Sequence, residues 1–251
     1  MKQFVVKAFV TNVMPYITFL KMRVNVQSAE AVIKLFLVVK NLKSKKLAFK
    51  NEKSGFSHSS FFGIIYLVIE MTLQELKLEC EKCTRCELHE SRTKLVFGDG
   101  VENARVLVIG EAPGKDEDEQ GKPFVGRSGK LLTEMLEEVG LRRDTNIYIA
   151  NMLKCRPPEN RDPKKTEQDL CIEWLQKQIE IIDPKVILCV GRISAQRIIG
   201  KDFSVTKQHG ELIERDGRIY IGTFHPAAIL RNINNKPLLE ADLKKLVEAI
   251  K

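Results

Sequence analysis

The sequence has no apolar run long enough to cross a bilayer. Its longest, inside "SSFFGIIYLVIEM" (59–71), holds about ten residues, against the roughly 20 that a spanning helix needs. The opening "MKQFVVKAFVTNVMPYITFLKMR" carries Lys2, Lys7, Lys21 and Arg23 but lacks a small-residue cleavage site, so it does not read as a secretory leader. Without a leader, the cysteines at 80, 83, 86, 155, 171 and 189 do not read as a disulfide framework; metal binding and simple burial are the alternatives. No Gly-x4-Gly-Lys-Ser/Thr follows a strand, and the glycine spacing of a dinucleotide fold is missing too. The usual phosphate cradles are therefore excluded.

Acid is scarce at one end only. Residues 1–70 hold eleven Lys/Arg against three Glu and no Asp, whereas residues 71–251 hold thirty of each sign. The excess of +8 thus belongs to the N-terminal segment and says little about a nucleic-acid surface on the rest. That segment also holds eight of the twelve Phe and two of the fifteen Gly. Met71 then opens "MTLQELKLEC", the start of an amphipathic helix. The expected organisation is a basic extension over 1–70, lying upstream of a natural start at Met71, and one domain over 71–251.

Within that domain, β-branched runs alternate with helical patterns. "ARVLVIG" (104–110), "TNIYIAN" (145–151), "KVILCVG" (185–191) and "RIYIGTF" (218–224) read as strands. "SGKLLTEMLEEVG" (128–140) reads as a helix capped by Ser128 and ended by Gly140. Residues 162–184 read as a long helix with Asp162 as N-cap, Pro163 in the first turn and Pro184 past the end. "ISAQRIIG" (193–200) and "KPLLEADLKKLVEAIK" (236–251) read as further helices. The pattern predicts a three-layer α/β/α fold around a central four-stranded parallel sheet. In such sheets ligands bind beyond the carboxyl ends of the strands, where Glu111, Asn151 and His225 leave this one.

The turn after the first strand, "GEAPGKDEDEQGKPFVGRSG" (110–129), is rich in glycine and in acid. Two Mg²⁺ ions held by Asp116, Glu117, Asp118 and Glu119 would make a metal-dependent phosphoesterase; a solvated acidic loop is the plainer reading. A nucleobase suits the turn better. A flat polar ring needs close backbone approach, directional contacts from Glu111, Asn151 and His225, and a stacking face from Phe124. Among the four His, only His225 stands at a strand end before Pro; His209 reads as a loop residue or one near a nucleic-acid backbone. Cys83-x2-Cys86, Cys155 and Cys171 could form a four-thiolate site for zinc or an iron–sulfur cluster, with Cys80-x2-Cys83 as a rival pair. Cys171 shares a helix face with Leu175, Ile179 and Ile182 and so points inward. Cys189 reads as a buried strand residue.

Together "GEAPG", "GKPFVGRSGKLL", "NMLKCRPPENR" and "HPAAIL" resemble the motifs of family 4 uracil-DNA glycosylases, over roughly residues 75–250. The resemblance implies a monofunctional enzyme that hydrolyses the N-glycosidic bond of uracil in DNA. Glu111, Ala112 and Pro113 would line the uracil pocket and Phe124 would stack on the base. Asn151 would read its Watson–Crick edge and His225 would face O2; His225, Glu111 and Asn151 would be the catalytic residues. A structural 4Fe-4S cluster on Cys83, Cys86, Cys155 and Cys171 is implied, placing Arg156 and Arg161 near DNA phosphates, with no divalent metal in the chemistry. Ile229 or Leu230 after His225 would either wedge into the vacated stack or pack the next helix. Family 1 enzymes carry an Asp and a bulky Tyr where Ala112 and Gly114 stand here, so Glu111, Glu117 or stabilisation of the uracil anion alone must replace the missing carboxylate. The expected partner is uracil-containing DNA, met by a monomer in a prokaryotic cytoplasm with no membrane; a repair or replication clamp is a partner class that the sequence does not identify. A metal-stapled nucleic-acid-binding module without activity is the non-enzymatic alternative.

Overall fold

The computed structural model describes the backbone of residues 2–10 and 18–26, and residues 71–250 in full. The chain divides into two units, Met1–Thr72 and Leu73–Lys251. In the first, β1 (Lys2–Val10) and β2 (Thr18–Val26) pair antiparallel, Lys2 opposite Val26. The expectation for 1–70 otherwise lies outside the described residues.

The second unit is built on a sheet. Its strands are β3 (Asp99–Gly100), β4 (Val106–Gly110), β5 (Ile147–Asn151), β6 (Val186–Val190), β7 (Ile213–Arg215) and β8 (Arg218–Thr223), in the order β3-β5-β4-β6-β8-β7. The four expected strands are present and mutually parallel, with Val106 beside both Ile147 and Val186, and Val186 beside Ile219. Every residue of β4, β5 and β6 is buried, as befits parallel strands covered on both faces. The sheet is nevertheless six-stranded and mixed. Short antiparallel strands close both edges, β3 against β5 and β7 against β8. The β7–β8 hairpin turns through Asp216 and Gly217, both at positive φ (52° and 73°), the backbone that an Asp-Gly turn favours.

Alternation along the strands divides the core. Val106, Val108, Ile149, Leu188 and Ile221 pack with Leu132, Met135 and Leu136 of α4 (Arg127–Glu138), Ile229 of α8 (Pro226–Arg231), and Leu239, Leu243 and Leu246 of α9 (Lys236–Ile250). Each such side chain contributes about 2 kcal/mol by leaving water. On the other side lie α1 (Leu73–Glu81), packed on α5 (Lys165–Ile182), and α6 (Arg192–Ile198), packed on β6 and β8. Three short helices, α2 (Leu88–Ser91), α3 (Lys115–Gln120) and α7 (Val205–Gln208), and two 3-10 turns, Pro158–Asn160 and Ile233–Asn235, complete the unit. Among the described residues no helix is long and apolar enough to cross a membrane.

Local starts differ from the sequence reading in three places. The acidic stretch is a helix, α3, not a loop; Glu117 reaches back to the N–H of Gly114 at 3.0 Å, and acids in a first turn complement the helix dipole. Helix α4 begins after Gly126, so Ser128 lies inside it. Helix α5 starts at Lys165, because Glu167 accepts the Lys164 N–H at 2.8 Å while Asp162 pairs with Arg192 at 3.0 Å. Its end is as expected, with Asp183 left-handed (φ 51°) before Pro184.

Candidate active site

Strand order reverses at β4, which has β5 on one side and β6 on the other. A crevice opens at that switch point in sheets of this type. Glu111 leaves β4, Asn151 ends β5, Gly191 and Arg192 follow β6, and His225 caps α8 just past β8. The sequence-predicted polar groups therefore share one rim.

Asn151, Phe124 and His225 come together. Asn151 is 2% exposed, and its Oδ1 has no hydrogen-bond partner. A buried orphan acceptor is costly unless something arrives to donate to it. Phe124 is buried beside it, and its ring lies 6.1 Å from that of His225, tilted by 32°. Gly110 makes this closeness feasible, since a Cβ there would collide with both Asn151 Oδ1 and the Phe124 ring. Gly191, at φ 94°, does the same for His225, whose Cβ would lie 3.1 Å from a Cβ at that glycine.

The protonation states follow from burial. His225 is pushed down to about 4 by burial and by the Arg231 charge, with Glu117 opposing. Its Nδ1 accepts the Ala227 N–H at 3.2 Å. The neutral ring therefore carries its proton on Nε2, as a donor. Glu111 is pushed up to about 7 by burial and the nearby Asp162 charge, with Arg192 opposing. Ala112 is half-buried and Pro113 buried on the same turn; the turn is tied down where the Leu153 N–H donates to the Glu111 carbonyl at 3.0 Å.

Glu117 has another task than activating water. Its Oε1 accepts the N–H groups of Val125 (2.9 Å) and Gly126 (2.8 Å), and its Oε2 that of Gly114. Asp118 is 3% exposed and accepts the Thr93 N–H with both oxygens. These two carboxylates are occupied by backbone donors, which removes them from the two-Mg²⁺ arrangement. Arg161 is likewise committed, to Glu167 at 2.6 and 2.9 Å, and Arg156 bonds Asn160. His209 lies against Phe224 and shares the buried Asp242 carboxylate with Thr223. Ile229 is fully buried in the core, so of the two residues considered as wedges it is the packing one; Leu230 is exposed.

The cysteines gather elsewhere. Cys80, Cys83, Cys86, Cys155 and Cys171 line one cavity with Trp174, Leu153 and Leu88. Cys189 is fully buried in β6. Among the described residues no three metal-ligating side chains converge on a single ion. Hydrogen bonds distinguish the sulfurs. Cys83 receives the Trp174 indole N–H and Cys155 an Arg92 guanidinium N–H, each at 3.4 Å. Burial pushes the thiols of Cys86 and Cys171 up, that of Cys171 to about 12, with the Lys154 charge opposing at Cys171. Burial pushes the Cys80 thiol up to about 12, with the Lys154 charge opposing.

Lys154 escaped the sequence reading. It is wholly buried and donates to the carbonyls of Asn151 (2.8 Å) and Phe97 (3.2 Å) and to Gln178 Oε1 (2.6 Å). Burial pushes its ammonium down to about 8, against the opposing influence of the neighbouring thiols. Its position three residues after Asn151 was the available signal.

The profile of the uracil DNA glycosylase superfamily matches residues 97–250. The chain is 43% identical over 185 residues to a type-4 uracil-DNA glycosylase of Archaeoglobus fulgidus, covering 70% of this chain and 92% of that protein. Against proteins of the same description it is 44% identical in Sulfurisphaera tokodaii, covering 70% and 84%, and 45% identical in Thermotoga maritima, covering 68% and 91%.

Proposed function

The chain belongs to the type-4 uracil-DNA glycosylases, and on that premise we propose that its rim of strand ends hydrolyses the N-glycosidic bond of uracil in DNA and leaves an abasic site. The observation that carries the assignment of roles is the buried, partnerless Asn151 Oδ1. Uracil presents a donor at N3 and an acceptor at O4. A carboxamide meets them with Oδ1 and Nδ2 respectively. Cytosine reverses both groups and would leave Asn151 facing like against like, a mismatch that discriminates strongly in a dry site.

The base must leave the helical stack to reach this depth, at a cost of a few kcal/mol. Phe124 replaces the lost stacking. Negative charge then develops on uracil O2 as the glycosidic bond lengthens. His225, neutral and donating from Nε2, stabilises that charge; such a preorganised donor contributes about 3 kcal/mol. Water attacks the sugar carbon. Glu111 is the carboxylate left to orient it, because Glu117 is held by three backbone N–H groups, and a group poised near 7 suits a general base.

The thiol cavity fits a 4Fe-4S cluster on Cys83, Cys86, Cys155 and Cys171. Two of those sulfurs, Cys83 and Cys155, accept N–H groups at 3.4 Å, as cluster thiolates do. A cubane takes one thiolate per iron, which suits sulfurs arrayed around a cavity, whereas a single zinc would draw all four to within about 2.3 Å of one point. When bound, the cluster supplies a structural cross-link between the segment after α1, the loop after β5 and α5. Lys154 and Arg92 bring positive charge to that site.

Purified protein with chelator present, incubated with an end-labelled oligonucleotide containing one uracil, is expected to give a strand break at the uracil only after alkali. Breakage without alkali, or only with added divalent metal, would refute the reading in favour of a phosphoesterase. Binding without base release would leave a nucleic-acid-binding module.

A further inference from the structure

Phe124 has a backbone conformation that its residue type disfavours. Its φ is 54°, in the left-handed region that costs a bulky side chain free energy. Such strain persists only where the surroundings over-determine it. Two charged side chains do so here. The Arg143 side chain is largely out of solvent, 19% exposed. Its Nη1 donates to the Pro123 carbonyl at 2.7 Å, and its Nη2 donates to the Phe124 carbonyl at 2.9 Å and to Thr133 Oγ1 at 3.3 Å. Asp99 pairs with it at 3.4 Å. On the other side Glu117 holds the N–H groups of Val125 and Gly126.

The peptide that joins Phe124 to Val125 is thus gripped at both ends, its C=O by an arginine and its N–H by a glutamate. Gly129 adds close support from α4, since a Cβ there would collide with the Phe124 backbone. Resting on the reading of Phe124 as the stacking face, we infer that Arg143 is a positioning residue: with Glu117 it clamps the 123–126 backbone so that the Phe124 ring stays fixed beside Asn151 and His225. Arg143 acts only through Phe124. An aromatic ring locked in one orientation binds a base without first having to be ordered; an unlocked ring must give up that freedom on every encounter.

The test is a double-mutant cycle on the cluster-loaded enzyme, read by inhibition with free uracil and by KM and kcat on uracil-containing DNA. Phe124→Ala removes the stacking face. Arg143→Met removes the clamp and keeps an apolar stem. Arg143→Met is expected to weaken uracil binding about tenfold and raise KM with kcat nearly unchanged, the pattern of lost uniform binding. In the Phe124→Ala background the same change is expected to do almost nothing, since residues coupled through one contact are not additive. Arg143→Lys, which keeps the charge but lacks the fork for two carbonyls, is expected to fall between, and it carries the test if the Met variant does not fold. An Arg143 effect that persists in full without the Phe124 ring overturns the inference and leaves the assigned function intact. A Phe124→Ala enzyme with unaltered uracil affinity overturns both.

Discussion

His225 and Glu111 are shifted in opposite senses, and the two shifts make a prediction about pH that neither makes alone. His225 moves from 6.5 to about 4 on folding. The unfolded chain therefore binds a proton that the native one refuses, and stability is lost as pH falls from 6.5 through 4. Glu111 moves from 4.5 to about 7. The native chain keeps a proton that the unfolded one releases, so its stabilisation is complete below 4.5 and is lost as pH rises through 7. Each shift is worth at most about 3 kcal/mol at 1.36 kcal/mol per unit. Between 4.5 and 6.5 they offset each other. Removing one exposes the other. His225→Gln is expected to gain stability relative to wild type as pH falls from 7 to 4.5, and Glu111→Gln to lose it over the same span. With a urea dependence of about 1–3 kcal/mol per molar, the midpoints of the two variants should diverge by 1 M or more. Urea unfolding of the three proteins at pH 7 and pH 4.5 measures this. Variants whose midpoints run parallel to wild type would refute the burial argument for both groups. An imidazole of His225 that titrates near 6.5 in NMR spectra would refute it for His225 alone.

Three other outcomes are expected. Gly110→Ala should reduce uracil excision at least a hundredfold while the protein stays folded, because the new methyl takes the space shared by Asn151 Oδ1 and the Phe124 ring; single-turnover assays with circular dichroism check both halves. Asn151→Asp should lower the ratio of uracil to cytosine excision by loss of the amide donor to O4, measured on paired oligonucleotides, and an unchanged ratio would remove Asn151 as the reader of the base edge. Cys155→Ser and Cys171→Ser should lose iron, whereas Cys80→Ser should retain it; iron per chain after anaerobic purification decides, and loss from Cys80→Ser would make it a ligand.

The rim of the site was legible because it depends on strand ends. "VLVIG", "IYIAN", "VILCV" and "RIYIGT" are β-branched runs that stop at Gly110, Asn151, Val190 and Thr223, and a parallel sheet brings those ends together whatever the loops do. What escaped the reading depends on partners that only tertiary structure supplies. Asp162 has the residue type of an N-cap, but it meets Arg192 thirty residues away, and Glu167 takes over the helix start. Glu117 has the residue type of a water activator, but three backbone N–H groups from two turns saturate it. Arg161 looked free for phosphate until Glu167 claimed it. The β7 edge strand is a different case: Asp216-Gly217 between two β runs is a hairpin signal carried entirely by local chemistry, and it was there to be read.

The thiol cavity also sets an order of events during synthesis. Every sulfur that lines it lies at or before Cys171, and its last wall is laid down with α5. Strands β6 and β8 and the His225 cap come later in the chain. A ribosome working from the N-terminus therefore releases all the cavity-lining thiols while the sheet has only β3, β4 and β5 and His225 has yet to be made. Closure of the thiol cavity and completion of the rim of strand ends are separable steps in the life of the nascent chain. The half that holds the five sulfurs is in place before the half that carries His225 exists.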